Sequence, residues 1–423
     1  MKDPKDVVCL VIDNGLFCEL AIKLAATFKK VYYYVPWECA FPRLNLARIG
    51  TGIDELELVD SIYGPHFDEI DLFCFPDIYF GWEQEHLINM GKVVWGSRTG
   101  EALELNREGM KAILTELDMP VGKFWHIKGV QNLRDFLRDH ENVYVKTDKF
   151  RGTFETFHSM TYDLVEPKLD EVEWSLGRFK DLIEFTVEEA LDDRVEFGTD
   201  AWTIDGKFPS KLISGLEIKD CGFASVFTDY NKIPEPLTRF NERMKPVFEA
   251  YGYRGFFSSE IRIGKDMQPY MIDFCARAPS PPNELYQEQY KNLAECIWAG
   301  ANGTVIDPEP VAKFGAEIML HSSFADKNWQ PLRFPEEIRQ FVKLRNIYKD
   351  DRGYFVVPQA TGLPEIGAVV GLGDTLEAAF DHAMENAELV EGYYLEAKTG
   401  AIEKVKEQIE KMDQLGLSVF NES

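Results

Sequence analysis

Val7 to Ile12 is an unbroken apolar run ended by Asp13, and Phe17 to Phe28 carries apolar residues at helical spacing. A doubly buried strand followed by an amphipathic helix is the unit of a parallel sheet covered by helices. The pattern recurs, predicting strands over Tyr32–Trp37, Asp71–Phe75 and Val93–Trp95, with a helix over Glu83–Met90 feeding the last. Residues 1–97 therefore read as one α/β domain. Its first turn, Asn14-Gly15, offers one glycine where a dinucleotide fingerprint needs three, so it reads as an ordinary strand-to-helix turn.

Residues 99–118 read as a helical stretch that stops at Met119-Pro120. Tyr144–Lys146 is a predicted strand ending in a lysine, followed by a polar connector from Thr147 to Phe157. Strands are predicted over Leu182–Thr186 and Phe197–Ile204, the latter closed by a hairpin turn at Asp205-Gly206. Phe256–Ile263 and Pro269–Phe274 read as a strand pair around Gly264-Lys265-Asp266. The Gly, Asp and Pro content of Asn302–Pro310 marks a boundary. The expected divisions are 1–97, 98–312 with a lid over about 121–186, and an α+β domain over 313–423, whose helices fall at Thr375–Leu389 and Ile402–Leu415. The fold class is mixed α/β (α+β).

Composition narrows the partners. The chain has 423 residues and a net charge of −26, so its surface repels nucleic-acid phosphates and anionic membranes; no free nucleic acid partner is expected. No apolar run reaches the roughly 18 residues a membrane span needs, and the start, Met-Lys-Asp-Pro-Lys-Asp, does not read as a secretion signal. The seven cysteines are odd in number and lack CxxC spacing, which predicts reduced thiols and a cytoplasmic protein.

The candidate chemistry rests on two groups of charges. Lys111, on the helix after the first domain, and Lys146, at a strand end, could converge on the phosphates of one nucleotide. Glu260 and Asp273 lie on adjacent predicted strands whose antiparallel pairing can bring them to one face. Two carboxylates held together repel unless a cation joins them, and Mg²⁺ carried with nucleotide phosphates is the usual partner for oxygen ligands. Arg277, just beyond, adds a guanidinium fork for phosphate or carboxylate.

With these residues in view, the chain resembles the ATP-grasp superfamily of carboxylate–amine ligases over almost its full length. "NREGMKAILTELDMPVGKFW" is similar to the family's helix, first lysine and entry strand, and "ENVYVKTDKFRGTFETF" to its phosphate lysine and lid loop. "FTVEEALDDRVEFGTDAWTIDGK" is similar to its hinge strand, ribose glutamate and hairpin, while the spacing of Glu260, Asp273 and Cys275 follows its magnesium strands. The segment "GAVVGLGDTLEAAFDHAMENAELVEGYYLEA" looks like the C-terminal domain of the phosphoribosylamine–glycine ligase relatives.

The resemblance implies ATP contacts from Lys111 and Lys146, adenine held by Glu188 with the backbone near Ala190 and Leu191, and ribose held by Glu196. It also implies Mg²⁺ or Mn²⁺ on Glu260 and Asp273, with Arg277 and Lys146 facing the transferred phosphoryl or acyl-phosphate group. Two features depart from the family pattern. Cys275 stands where the family has asparagine, and a neutral thiol is a poor ligand for a hard cation. The lid loop has one glycine, Gly152, beside Lys149, Arg151 and Thr153, which makes Arg151 a candidate phosphate contact in place of backbone amides. The metal-strand continuation, Arg277-Ala278-Pro279-Ser280-Pro281-Pro282, also departs, so a different substrate pair is expected.

The implied activity is joining a small carboxylate, such as an amino acid, to an amine through an acyl-phosphate, with release of ADP and phosphate; the family is commonly dimeric, so a homodimer is one open alternative for the oligomeric state. The rivals are phosphotransfer without an amine step and a degenerate ATP-binding regulatory or scaffold protein. Arg43, Arg48, Asp77, Tyr79 and Trp82 follow strands of the first domain, where ligands bind in open α/β sheets.

Overall fold

The computed structural model describes residues 1–36, 48–147, 156–218, 221–358, 365–397 and 400–420. Arg43, Lys149, Arg151, Gly152 and Thr153 lie outside the described residues.

The first apolar runs form a five-stranded, wholly parallel sheet. Its strands are β1 (Val8–Ile12), β2 (Lys30–Tyr34), β3 (Glu57–Leu58), β4 (Leu72–Cys74) and β5 (Val93–Trp95), in the order β3-β2-β1-β4-β5. All five residues of β1 are buried, as a strand covered on both faces requires. The order reverses at β1, so the ends of β1 and β4 open on one crevice, and Asn14 Nδ2 reaches Asp77 Oδ2 across it at 3.2 Å.

The expected single helix over 99–118 is two short helical pieces and one longer helix. The Asn106 backbone leaves helical geometry (φ −123°, ψ 82°), and its side chain accepts the Gly109 N–H at 2.9 Å, capping the helix Arg107–Glu116. The preceding turns are a 3₁₀ turn over Arg98–Glu101 and a short helix over Ala102–Leu105. A capping asparagine competes with the helical backbone for its own hydrogen bonds, which is why apolar periodicity alone misses the break.

A four-stranded antiparallel sheet follows, with β6 (Phe124–Lys128), β7 (Val143–Thr147), β8 (Thr156–Ser159) and β9 (Glu184–Glu189) in the order β6-β9-β7-β8. The helices Val130–Asp139 and Tyr162–Leu176 cover it, and their Leu133, Leu137, Leu169 and Val172 pack with Val145, Phe185 and Val187 into a core of their own. Beyond it come β10 (Val195–Ile204), β11 (Lys211–Ile218), β12 (Gly222–Asp229), β13 (Arg254–Ile263), β14 (Pro269–Cys275) and β15 (Phe314–Ser322).

β10, β13 and β14 form one antiparallel sheet in that order; β11, β12 and β15 belong to a second, which Glu365–Gly373, Val342–Leu344 and Leu395–Ala397 extend. The expected hairpin at Asp205-Gly206 is realised only as a turn. Both residues have positive φ (50° and 79°) and Ile204 bridges Lys207, but β11 then leaves to pair β12. The helices Leu376–Glu388 and Ala401–Leu415 match the two predicted C-terminal helices within a few residues. No described helix is long and apolar enough to cross a membrane.

Because the core of the four-stranded sheet is separate from the two large cores, it can loosen alone. Leu137→Ala removes a fully buried side chain and should destabilise that unit by about 2–5 kcal/mol. In hydrogen exchange, amides of β6, β7 and β9 should exchange faster while those of β10 and β13 keep their protection; equal acceleration in both would show that the two regions unfold together.

Candidate active site

The site lies where the small sheet meets β13 and β14. Lys111 projects from the capped helix and Lys146 from β7, and both turn to one carboxylate on β9: Lys111 Nζ is 2.6 Å from Glu188 Oε1, and Lys146 Nζ is 3.3 Å from Glu188 Oε2. All three side chains are buried. An unpaired charge in such surroundings costs several kcal/mol, so each lysine depends on Glu188 for its burial. Glu188 is therefore committed to the lysines, although the resemblance implies that it holds adenine.

Lys146 also donates to the Ile272 carbonyl and stands 4.0 Å from Asp273 Oδ2. Burial works against its charge, but Asp273 and Glu188 outweigh that and raise its pKa above the ordinary lysine value. Asp273 pairs directly with Glu260 in the β13–β14 register, and a bulge between Glu260 and Ile261 keeps the two on one face. Burial and the facing Asp273 push the Glu260 carboxyl well up, whereas Lys146 and Arg107 hold Asp273 below its usual value against the effect of its own burial. Gly198 faces Glu260 from β10; a Cβ there would meet the Ser259 carbonyl at 2.1 Å, so the strands approach closely only without a side chain.

These two carboxylates fit a hard divalent cation that arrives with phosphate oxygens, because they offer oxygen ligands and repel each other when both are charged. They do not make a protein-only cage: among the described residues no group of three His, Cys, Asp or Glu side chains could hold a metal. Cys275 pairs with Ser258 beside them and donates to the Arg277 carbonyl, Sγ to O 3.8 Å.

Arg277 Nε donates to Glu104 Oε1 at 3.2 Å, and Glu104 Oε2 accepts the Ala276 N–H at 2.7 Å, so Arg277 is anchored beside the carboxylate pair. Glu196, at the start of β10 just past the β9–β10 connection, is bonded by Arg262 Nη2 at 2.7 Å and Nε at 3.1 Å. It borders a cleft of about 760 Å³ that includes Asp192, Asp193, Arg194 and Arg262, within the size range of small-molecule sites. Lys111 and Lys146 do not line this cleft, whose lysines are Lys265, Lys404 and Lys411. The Ala190 N–H is donated to Asn142 O at 3.2 Å, and Leu191 O accepts from Arg262 Nη1 at 3.4 Å.

Three residues escape sequence reasoning. Arg107 donates to Thr147 O at 2.9 Å and lies 3.9 Å from Asp273; its place one helical turn before Lys111 could have flagged it. Arg262 shares a strand face with Glu260 two residues away, which was readable, but its partner Glu196 lies 66 residues off. Glu104, 173 residues from Arg277, leaves no local signal.

No family model matches the sequence, and no curated protein matches it. Solved structures do. Phosphoribosylamine–glycine ligase from Thermotoga maritima superposes with a TM-score of 0.67 at 16% identity, covering 92% of this chain and 98% of that one. The chain has the ATP-grasp fold. The biotin carboxylase domain of the Hydrogenobacter thermophilus 2-oxoglutarate carboxylase, a dimer with MgADP, ADP and bicarbonate, gives 0.64 at 10% identity over 98% and 99%. N5-carboxyaminoimidazole ribonucleotide synthetase from Thermotoga maritima gives 0.58 at 13% over 92% and 99%. The ATP-grasp resemblance of the sequence is thus matched in three dimensions across nearly the whole chain.

On the same face as Glu260, Asp200 is buried and its carboxyl is pushed up by burial from about 3.8 to about 7, with a Ser258 hydrogen bond opposing. A raised carboxyl pKa makes a contribution to stability that is complete below the unfolded value and lost as pH rises through the folded one. Asp200→Asn should therefore change melting temperature little near pH 4 and raise it progressively toward pH 8, with a ceiling of roughly 4 kcal/mol. Differential melting of the two proteins between pH 4 and 8 checks this; a constant difference would contradict it.

Proposed function

We propose that this chain is an ATP-dependent, ADP-forming carbon–nitrogen ligase. It would activate a small carboxylate as an acyl-phosphate and pass the acyl group to an amine. The observation that carries the reading is the convergence of Lys111, Lys146 and Arg107 with Glu260 and Asp273 at one point: cations for phosphate oxygens beside oxygen ligands for a metal. Phosphoryl transfer needs little covalent help from a protein and much positioned charge, which is what this set supplies.

In this reading the substrate carboxylate attacks the γ-phosphorus, forming a C–O–P linkage as the bond to ADP breaks. Lys146 and Lys111 would exchange Glu188 for phosphate oxygens, and Arg277, held by Glu104, would face the transferred group. Mg²⁺ or Mn²⁺ would be held by Glu260 and Asp273 with the nucleotide phosphates and would neutralise their charge. Glu196 and Arg262, at the edge of the 760 Å³ cleft, support a place for the ribose there, and Ala190 and Leu191 lie in the adjoining hinge. The amine nitrogen then attacks the acyl carbon, the C–N bond forms, and phosphate leaves with the C–O electron pair and takes up the proton that the nitrogen gives up. The 121–186 lid, with Arg151 as a phosphate contact, would keep water from the intermediate. We also propose the three divisions 1–97, 98–312 and 313–423, a homodimer, and a cytoplasmic setting.

Phosphorus NMR with Mg-ATP, pooled small carboxylates and pooled amines tests the class. ADP and phosphate that require both pools are expected; a phosphate ester would favour phosphotransfer, and AMP would refute the mechanism. Asp273→Ala should lower turnover at least 100-fold, and a degenerate binder would have no turnover to lose. Cys275→Asn should tighten Mg²⁺ if the thiol weakens that site, read as a shift in the Mg²⁺ dependence of the rate; an unchanged dependence would clear Cys275 of that role. Glu196→Ala should weaken ATP about tenfold with a smaller effect on kcat, measured by equilibrium binding and initial rates.

A further inference from the structure

Glu196 and Arg262 are direct partners in the antiparallel register of β10 and β13, so strand pairing itself sets the two side chains next to each other. Two residues further along the same ladder Gly198 stands opposite Glu260, which puts the Glu196–Arg262 pair about 7 Å along the sheet face from Glu260. Both members of the pair are partly buried, and both line the cleft of about 760 Å³.

The pair uses the two oxygens of Glu196 unequally. Arg262 Nε and Nη2 donate to the same oxygen, Oε2, at 3.1 and 2.7 Å, while Arg262 Nη1 donates to Leu191 O at 3.4 Å. A carboxylate offers about four lone-pair sites on its two oxygens, so two donors fill Oε2. Among the described residues, Oε1 accepts no hydrogen bond. Charge-assisted bonds are the strong ones, and here two of them converge on one atom while a third donor grips the main chain of the β9–β10 connection. The guanidinium is thereby held in place, and Glu196 presents a single free oxygen.

We infer that the cleft reads one of the two ribose hydroxyls and not the other, so that Arg262 sets the sugar specificity and a deoxynucleotide lacking the unread hydroxyl serves as well as the ribonucleotide. The inference rests on the reading above in which Glu196 holds the ribose. The 2′- and 3′-hydroxyls are neighbours on the ring, and a carboxylate with both oxygens free can accept one hydrogen bond from each. Only Oε1 can do so here. The second hydroxyl meets an oxygen whose lone pairs are taken by Arg262 and is left to water, so its removal forfeits no bond to the protein. Arg262 acts on the sugar through Glu196 and is a positioning residue.

Equilibrium titration of the full chain with the magnesium complexes of ADP, 2′-deoxy-ADP and 3′-deoxy-ADP tests this. In the wild type one analogue should bind within about twofold of ADP and the other about tenfold weaker or more, the loss expected for a hydrogen bond to a charged group. Arg262→Met releases Oε2, so in that variant both analogues should fall about tenfold or more behind ADP. A merely structural Arg262 would weaken all three nucleotides by one factor and leave their ratios as in the wild type, which would overturn its part in specificity. The wild-type comparison decides the matter alone should the variant fail to fold. Two weakened analogues with ADP still bound overturn the inference and leave the ribose at Glu196. Two unweakened analogues also overturn it, and if Glu196→Ala then binds ADP as the wild type does, the ribose placement falls too. No binding of Mg-ADP refutes the nucleotide reading and the inference with it.

Discussion

Glu188 holds Lys111 and Lys146 inside the protein, and most of the site's geometry follows from that one carboxylate. The two lysines come from different units, a helix of the main body and a strand of the small sheet, and neither ammonium could be buried without an anion. Their shared partner fixes the distance between the units and leaves Lys146 next to Asp273 and the Ile272 carbonyl. Arg107 adds a second tie through the Thr147 carbonyl at 2.9 Å. The small sheet has its own apolar core, so polar contacts of this kind, rather than shared burial, carry much of its attachment near the site.

Opposite that clamp, the β13–β14 register is decided by a bulge. Without the irregularity between Glu260 and Ile261, the period-2 alternation that puts Arg262 opposite Tyr270 would carry Ile272 rather than Asp273 to the position facing Glu260. One extra residue thus converts a run of alternating side chains into two carboxylates on one face. Their unequal pulls, Glu260 upward and Asp273 downward, arise because burial and the carboxylates of Asp273, Glu217 and Glu196 outweigh Lys146 at Glu260, whereas Lys146 and Arg107, at 4.0 and 3.9 Å, outweigh burial at Asp273. A metal bound to both would remove that asymmetry.

Much of this was legible in the sequence, and the reason is range. The strands and the turn at Gly264-Lys265-Asp266 are local features, so the antiparallel neighbourhood of Glu260 and Asp273 could be read directly, whereas the bulge that sets them opposite each other could not. The lysines could be named but not their partner, because Glu188 looks like one acidic residue among many until β9 is laid between β6 and β7. The break at Asn106 was hidden by apolar periodicity on both sides, although the one-turn spacing of Arg107 and Lys111 was readable with or without it.

The clamp also bears on how a nucleotide would enter. In the free protein the two lysines are satisfied by Glu188, so a triphosphate gains their charge only by displacing a carboxylate already bonded at 2.6 and 3.3 Å. That exchange costs less than stripping bare lysines of water, because one desolvated anion replaces another and the cations stay buried throughout. It would also leave Glu188 in need of a new partner, and its strand ends directly before Ala190 and Leu191. Glu188 stands at the end of β9 from which the chain turns into β10, so a shift of its carboxylate would be felt across the short connection to the 760 Å³ cleft where Glu196 and Arg262 stand. A ligand that spanned the lysines and that cleft would set the small sheet against β13 and β14 more firmly than either contact alone, because both sides of the β9–β10 connection would then be fixed to the same molecule.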